Sequence, residues 1–228
     1  MSKTYQLYHF PFDPHSRLAR LALGELKINF EEVLIRYWEP TDTYLAMNPS
    51  GALPSLVESQ DQKQVYICEN AAICEYLYEL DIGEKLWPSD VAERAEARRL
   101  VGWFSRKFDF EVNAYLLFEK MEKRLFGQGA PDINALKSGR EALRMHMRYL
   151  ESLLEARHYL AGKQLSYADL ACAAHLSIID YLDEINWARF THVKHWYMAV
   201  KSRPCFRPLL ADQLPGVAPS AHYAELDF

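Results

Sequence analysis

The sequence contains few cysteines, no long hydrophobic run and no large excess of either charge. Its four cysteines lie within apolar patterns and form no C-x-x-C pair, so we expect reduced thiols and no disulfide framework. His192 and His195 have no carboxylate or cysteine at metal-ligand spacing, and we therefore expect no metal site. The formal net charge of −5 is spread along the chain, which argues against a nucleic-acid partner.

Membrane insertion is not expected either. The apolar stretches are too short or too interrupted to cross a bilayer, and the N-terminal residues contain no apolar signal segment. At 228 residues, with 50% of them hydrophobic, the chain is long enough for one large domain or two small ones with a substantial core. These features predict a cytoplasmic globular protein.

Two neighbouring motifs carry most of the information in the chain. Residues 48–57 read N-P-S-G-A-L-P-S-L-V, a loop that ends at Pro54 and continues into an apolar strand; proline suits such a position, often with a cis bond. Residues 69–77 read E-N-A-A-I-C-E-Y-L and predict a helix with Asn70 as its N-cap. A bent loop beside a helix N-terminus leaves free backbone groups, and we therefore expect a site for a small peptide-like anion.

The two motifs, in this order and about fifteen residues apart, resemble those of the glutathione S-transferase family. That family usually shows N-P-x-G-x-(L/V/I)-P before its third strand and (E/Q)-S-x-A-I-x-x-Y-L at its third helix. The resemblance implies an α/β N-terminal thioredoxin-like domain followed by an all-α C-terminal domain. It also implies a glutathione-type cleft, whose residues in this sequence are Asp13, Leu53, Pro54, Glu69 and Asn70.

The hydrophobic period changes near residue 83, which divides the chain in two. The first half alternates as strands, predicted at 4–10, 30–36, 53–58 and 64–68. The second half has a helical period, with helices predicted at 90–125, 132–156, 166–184 and 190–202. We therefore predict a thioredoxin-like domain over residues 1–82, a linker at 83–90 with Gly83 as a C-cap, an all-helical domain at 91–209 and a C-terminal extension at 210–228.

The chain departs from the family at the position that carries the chemistry. Family members place a serine, cysteine or tyrosine at the end of the first strand, where it hydrogen-bonds the glutathione thiolate, whereas Asp13 stands there in this sequence. A carboxylate about 4 Å from a thiolate repels it by roughly 1–4 kcal/mol, which raises the thiol pKa. Because the thiolate is the nucleophile, we expect no enzyme activity, weak or absent glutathione binding and no cofactor.

Asp13 has a structural interpretation as well. It is a preferred N-cap residue, Pro14 suits the first helical position, and apolar residues follow at helical spacing. Tyr8 on the first strand is the remaining candidate catalytic residue, since some classes of the family use a tyrosine there, although a strand tyrosine is more often a packing residue. The alternative function is therefore an active glutathione transferase, or a glutathione-dependent isomerase, that uses Tyr8.

A second match to the family lies in the helical half. Residues 164–170 read Q-L-S-Y-A-D-L, in which Ser166 can accept from the amide of Asp169 while the Asp169 carboxylate reaches back to the Ser166 amide. Leu165 and Leu170 occupy the positions of a hydrophobic staple. The family carries such a capping box at the start of its sixth helix, and we assign it to folding alone.

Two segments carry aromatic residues at positions where we expect surface loops. Trp38 follows the second predicted strand, and the C-terminal extension ends in Asp227 and Phe228. One interpretation is a partner-binding site with aromatic anchors and an acidic rim. The other is that Trp38 and Phe228 pack onto their own subunit.

Asp13 at the thiolate position, the two motifs and the acidic-aromatic C-terminal end resemble those of one branch of the family. This branch contains the transferase-like proteins of bacterial cell division that bind the tubulin-like GTPase FtsZ. The resemblance implies a homodimer that binds FtsZ filaments and regulates their curvature or bundling at the division site. We therefore interpret the chain as a non-catalytic binding protein on a transferase fold. The fold alone does not decide between this interpretation and the enzymatic one, because one fold supports many functions.

Overall fold

The computed structural model describes residues 3–80 and 83–228. Its first half forms a mixed four-stranded sheet with strand order β2-β1-β3-β4, made of β1 Thr4–His9, β2 Glu31–Leu34, β3 Ser55–Gln60 and β4 Lys63–Cys68. Strand β1 is parallel to β2 and antiparallel to β3, and β3 is antiparallel to β4. The helices of this half are α1 Pro14–Glu25, α2 Asp42–Met47 and α3 Asn70–Glu79.

Apolar residues hold the sheet together on one face. Leu7 lies opposite Leu56, Leu56 lies opposite Ile67, and all three are buried. A parallel strand pair needs a crossover connection, which α1 supplies between β1 and β2. Leu18 and Leu21 of α1 are fully buried in the same apolar cluster, so the crossover helix also closes the core.

The second half is helical. Its first segment, residues 91–125, is an α-helix interrupted by π-helical turns, in the order α4 Val91–Gly102, first π-helix Trp103–Asn113, α5 Ala114–Leu117, second π-helix Phe118–Glu122 and α6 Lys123–Leu125. The remaining helices are α7 Ile133–Ala156, α8 Tyr167–Tyr181, α9 Thr191–Lys201 and α10 Arg207–Ala211. Helix α8 is buried along its whole length and packs against α1, so one core spans both halves.

The predicted strands, and the predicted helices of the second half, are present with their ends displaced by a few residues. Two local predictions are wrong. Asparagine is the better N-cap by type, but the chain turns at Glu69, with a φ of 72°, so Glu69 is the N-cap and Asn70 is the first residue of α3. Gly83 is not a C-cap, because α3 ends at Glu79 with Leu80 as its cap and Gly83 opens a 3₁₀-helix.

Helix α2 has no counterpart among the sequence predictions. The Thr41 hydroxyl caps it by accepting from the Tyr44 amide at 3.2 Å, but six residues are too few to show a helical period. The predicted domain boundary at residue 82 lies outside the described residues, as do residues 1–2. Within the part of the chain that the structure describes, every helix is too short or too polar to cross a membrane.

The capping box at the start of α8 is formed by Ser166 and Asp169. Asp169 Oδ2 accepts from the amide and from the hydroxyl of Ser166, both at 2.9 Å. Its Oδ1 accepts from the Leu160 amide and from Trp196 Nε1, also at 2.9 Å. Four donors therefore satisfy a carboxylate that is fully buried, and they tie α8 to α9 and to the loop before it.

The C-terminal extension folds back onto the first helix. Arg17 of α1 is fully buried and donates to Ser177 Oγ at 2.7 Å, to the Tyr223 hydroxyl at 3.0 Å and to Asp212 at 3.4 Å. Arg20 donates to Asp212 at 2.7 Å. Because buried guanidinium groups need charged or polar partners, the extension completes the core of the N-terminal half.

Candidate functional site

A cleft of about 590 Å³ lies between the two halves of the chain. One wall contains Leu53 and Glu69, two of the residues predicted to line it, and the helical wall contains Arg98 and Arg106. The Leu53–Pro54 bond is cis, and the Glu69 amide donates to the Pro54 carbonyl at 3.0 Å. The loop and the helix start that the two sequence motifs predict therefore meet at one wall of the cleft.

Asn70 stands next to this wall as the first residue of α3. Its side chain is buried, and neither Oδ1 nor Nδ2 has a hydrogen-bond partner among the described residues. The start of the helix also offers unpaired amides and the positive end of the helix dipole. A carboxylate group placed here would accept from Asn70 Nδ2 and from the helix amides, so Asn70 is the predicted cleft residue best placed to bind an anion.

Asp13 is the N-cap of α1, as its residue type predicts. Its Oδ2 accepts from the Ser16 amide at 2.6 Å, and Ser16 Oγ accepts from the Phe10 amide at 3.2 Å. Burial raises the pKa of Asp13; His15 opposes this change and Asp109 adds to it. A thiolate beside Asp13 would therefore meet a carboxyl group that repels it whenever it is ionised.

Tyr8, the alternative catalytic residue, lies on β1. Its ring stacks on that of Tyr44, with the centroids 6.1 Å apart. It packs against a second apolar cluster that contains Phe10 and Leu53. This is a packing contact, and no described contact directs the Tyr8 hydroxyl into the cleft.

Trp38, in the loop after β2, packs against other residues of its own chain. Its ring makes edge-on contacts with Phe10 and Tyr37, at centroid distances of 5.2 and 5.1 Å, and lies 5.6 Å from Phe126. The Tyr37 hydroxyl donates to Glu122 of the second π-helix, which fixes the loop on the helical half. The Trp38 side chain is half-buried, so it is held in place and is still accessible from outside.

Phe228 also packs against other residues of its own chain. Its ring stacks on His222 at 4.8 Å, meets Trp187 edge-on at 5.4 Å and lies over Lys201 Nζ at 4.5 Å. Asp227 is exposed beside it. Phe228 packs against the main core and Trp38 against the second apolar cluster, and no described contact joins the two residues.

Four polar residues from three helices meet beside the cleft, and sequence reasoning missed them. We refer to His15, Asp109, Asn113 and His175 as the His15 cluster. His15 Nε2 lies 3.8 Å from Asp109 Oδ1, while Asn113 Nδ2 lies 2.9 Å from Asp109 Oδ1 and 2.8 Å from His175 Nδ1. Their helices, α1, the first π-helix and α8, are far apart in the sequence, so no local spacing signals the cluster.

Burial and neighbouring charges set the protonation of the His15 cluster. Burial lowers the pKa of His15, but the carboxylates of Asp109 and Asp13 outweigh it, and the pKa is raised. Burial raises the pKa of Asp109, but His15 and His175 outweigh it, and the pKa is lowered. Burial lowers the pKa of His175 to about 3. The cluster therefore combines an ion pair with a neutral imidazole.

Two family models match the chain. The glutathione S-transferase N-terminal domain covers residues 7–85, and the glutathione S-transferase C-terminal domain covers residues 131–211. A relative, FtsZ-localized protein A of Caulobacter vibrioides (strain NA1000 / CB15N), is 57% identical over 228 residues, which make up 100% of each chain.

Two solved structures superpose closely. FzlA from C. crescentus matches with a TM-score of 0.97 and 56% identity, over 99% of this chain and 100% of that one. A glutathione S-transferase from Rhodospirillum rubrum F11 matches with a TM-score of 0.94 and 43% identity at the same coverage. These matches confirm the predicted architecture of a thioredoxin-like N-terminal domain and an all-helical C-terminal domain.

Proposed function

The chain belongs to the glutathione S-transferase family, and on that premise we propose that it is a non-catalytic member that binds filaments of the tubulin-like GTPase FtsZ. The observation that carries the proposal is the 57% identity, over the whole length, to a protein named as FtsZ-localized. Asp13 adds support, because it puts a carboxylate where a transferase needs a hydrogen-bond donor. The proposal includes regulation of filament curvature or bundling, in the cytoplasm at the division site.

Trp38, Asp227 and Phe228 are the proposed FtsZ-binding residues. The Trp38 ring is fixed by aromatic neighbours and stays partly exposed, which suits an interface anchor because little side-chain freedom is lost on binding. Phe228 is fixed over Lys201, which holds the neighbouring Asp227 carboxylate at the surface. Both segments are thus ordered before a partner arrives.

A homodimer is the proposed working form. Strand β4 is an edge strand of the sheet, and Val65 and Tyr66 on it are about half exposed. Edge strands with exposed apolar side chains are usually covered in the native assembly, and a second copy of the chain could cover this one. Such a dimer would carry two FtsZ-binding surfaces and could bridge two filaments. Tyr66→Glu should shift the protein to monomer in analytical ultracentrifugation.

Co-sedimentation with FtsZ filaments tests the binding proposal. Trp38→Glu and Asp227→Lys should each weaken binding at least about thirtyfold, since interface anchors are worth roughly 2–4 kcal/mol and each 1.4 kcal/mol is tenfold. Deletion of residues 226–228 should act in the same direction. Ile133→Glu changes an exposed apolar residue at the start of α7 and should bind like the parent.

The result that contradicts this assignment is equally specific. If Trp38→Glu and Asp227→Lys bind filaments like the parent while Ile133→Glu does not, the site lies on another face. Circular dichroism and sedimentation of each variant establish that the fold and the oligomeric state are intact.

An active glutathione transferase, or a glutathione-dependent isomerase, is the second candidate function, and Asn70 favours it. Its unpaired Nδ2 at the start of α3 can donate to the carboxylate of a peptide such as glutathione. Calorimetric titration with glutathione and a turnover assay with a chlorinated aromatic substrate test this function. We expect negligible turnover; turnover that disappears in Tyr8→Phe would replace the binding-protein proposal with the enzymatic one.

A further inference from the structure

We propose that His15, Asp109 and His175 bind a divalent transition-metal ion of the zinc type, which joins α1 to the helical half beside the cleft. One potential ligand atom from each of the three side chains lies within 4.8 Å of the other two. Imidazole nitrogens and a carboxylate oxygen are the ligands that zinc takes in proteins when cysteine is not used. Three protein ligands leave a fourth position for water or another small ligand.

The distances require a small closure around the ion. A tetrahedral ion with bonds of about 2.0–2.2 Å holds its ligand atoms roughly 3.3–3.6 Å apart. His15 Nε2 and Asp109 Oδ1 are already 3.8 Å apart. Their side chains are 24% and 37% exposed, whereas His175 is fully buried, so we expect His15 and Asp109 to rotate toward it.

His175 supplies the independent sign of a ligand site. Its side chain is fully buried against Phe104 and Phe108, and Nε2 has no hydrogen-bond partner among the described residues. Buried polar atoms are normally satisfied, so an orphan nitrogen in a core calls for a ligand.

Asn113 provides the support that metal ligands usually have. Its amide lies between two of them, 2.9 Å from Asp109 Oδ1 and 2.8 Å from His175 Nδ1. Its Oδ1 has no partner among the described residues, so rotation of the amide would let it accept from a protonated His175 Nδ1 when Nε2 binds the metal. Asp109 would then exchange its hydrogen bond from Asn113 Nδ2 for the metal. The π-helical turn that carries Asp109 and Asn113 fits this role, since such turns often occur at functional sites.

The surrounding charges favour a cation. Asp13, Asp109 and Glu69 all act electrostatically on His15. A divalent cation would compensate these carboxylates more completely than a single positive charge does.

Titration with Co²⁺ tests the proposal, because the visible absorption of this ion reports tetrahedral coordination. The background is the full chain with Cys68→Ser, which removes the half-buried thiol, after treatment with a chelator. We expect one equivalent of Co²⁺ to bind and Zn²⁺ to displace it. His15→Gln and Asp109→Asn should each weaken binding about a hundredfold or more, and Asn113→Ala by about ten- to a hundredfold.

His192→Gln is the matched control. His192 Nδ1 lies 2.9 Å from Glu151 Oε1, a histidine–carboxylate pair to which the structure adds no third ligand among the described residues. This variant should bind Co²⁺ like the parent. Absence of saturable binding in the parent overturns the proposal, as does parent-like binding in His15→Gln and Asp109→Asn, or an equal loss in His192→Gln. His175→Gln is in the core, so the two partly exposed ligands carry the test if that variant fails to fold.

Discussion

Asp169 and Asp13 both contribute to helix caps, and their surroundings differ. Asp169 at the start of α8 accepts from four donors and is fully buried. Asp13 at the start of α1 takes its described hydrogen bonds from Ser16 and lies close enough to Asp109 for the like charge to raise its pKa. The hydrogen-bond acceptors of Asp169 are all occupied by donors of the fold, whereas Asp13 can still accept from another partner. A residue in a functional site needs such an unoccupied acceptor.

The largest effect is expected from Asp169→Ala. Removal of this carboxylate leaves four buried donors without an acceptor, and each orphan costs roughly 1–3 kcal/mol, so the free energy of unfolding should fall by about 4 kcal/mol or more. Urea unfolding measures this free energy. The control is Asp90→Ala, the partly solvated cap of α4, which should cost about 1 kcal/mol. Equal losses in the two variants would show that the buried network adds nothing to the cap.

Asp212→Ala should have the next largest effect, about 3 kcal/mol. This carboxylate pairs with the guanidinium groups of Arg17 and Arg20, and its removal leaves two buried charges with fewer partners. The variant should also release the C-terminal extension, which limited proteolysis would detect. Glu39→Ala removes an exposed partner of Arg36 and should change neither measurement. An intact, protease-resistant extension in Asp212→Ala would contradict the assigned role.

Asp13→Ser should affect the ligand more than the fold. Serine keeps the cap and restores a hydroxyl donor, so the free energy of unfolding should change by less than about 1 kcal/mol. Glutathione should bind about tenfold more tightly, because the substitution removes a repulsion of roughly 1–4 kcal/mol between the carboxylate and the glutathione thiolate. Calorimetry measures the affinity. An unchanged affinity would mean that Asp13 is not what limits the cleft.

The smallest effect is a pH-dependent one in Asp13→Asn. The pKa of Asp13 is raised in the folded state, so its contribution to stability is present below the unfolded-state pKa and is lost as the pH rises through the folded-state value. Asparagine caps equally well and does not ionise. The variant should therefore be more stable than the parent near pH 7, by less than about 1 kcal/mol, and equal to it near pH 3. A variant that gains more stability near pH 3 than near pH 7 would contradict this prediction.

The sequence predicts those parts of the molecule whose signals are local. The capping box was found because Ser166 and Asp169 are three residues apart, and the strands and long helices because their periods repeat. The sequence places the N-cap of α3 one residue too late, because residue type favours Asn70. The backbone turn at Glu69 depends instead on the hydrogen bond from its amide to the Pro54 carbonyl.

The His15 cluster marks the limit of such prediction. Its residues come from three helices, and two of them lie on a π-helix, whose wider turn shifts the face that each side chain occupies. The sequence does not decide what Trp38 packs against for a similar reason, since Phe126 approaches it from a loop that is distant in the sequence. Contacts that depend on tertiary register have no signal in a single sequence.

The hydrogen bonds of Arg17 bear on the order in which the chain folds as it is synthesised. This residue lies in the first helix, but its partners Ser177, Asp212 and Tyr223 are made 160, 195 and 206 residues later. Until they emerge from the ribosome, a nascent thioredoxin-like half can bury Arg17 only without these partners, which is costly. We therefore expect the first half to reach its final packing only after the C-terminal extension has left the ribosome.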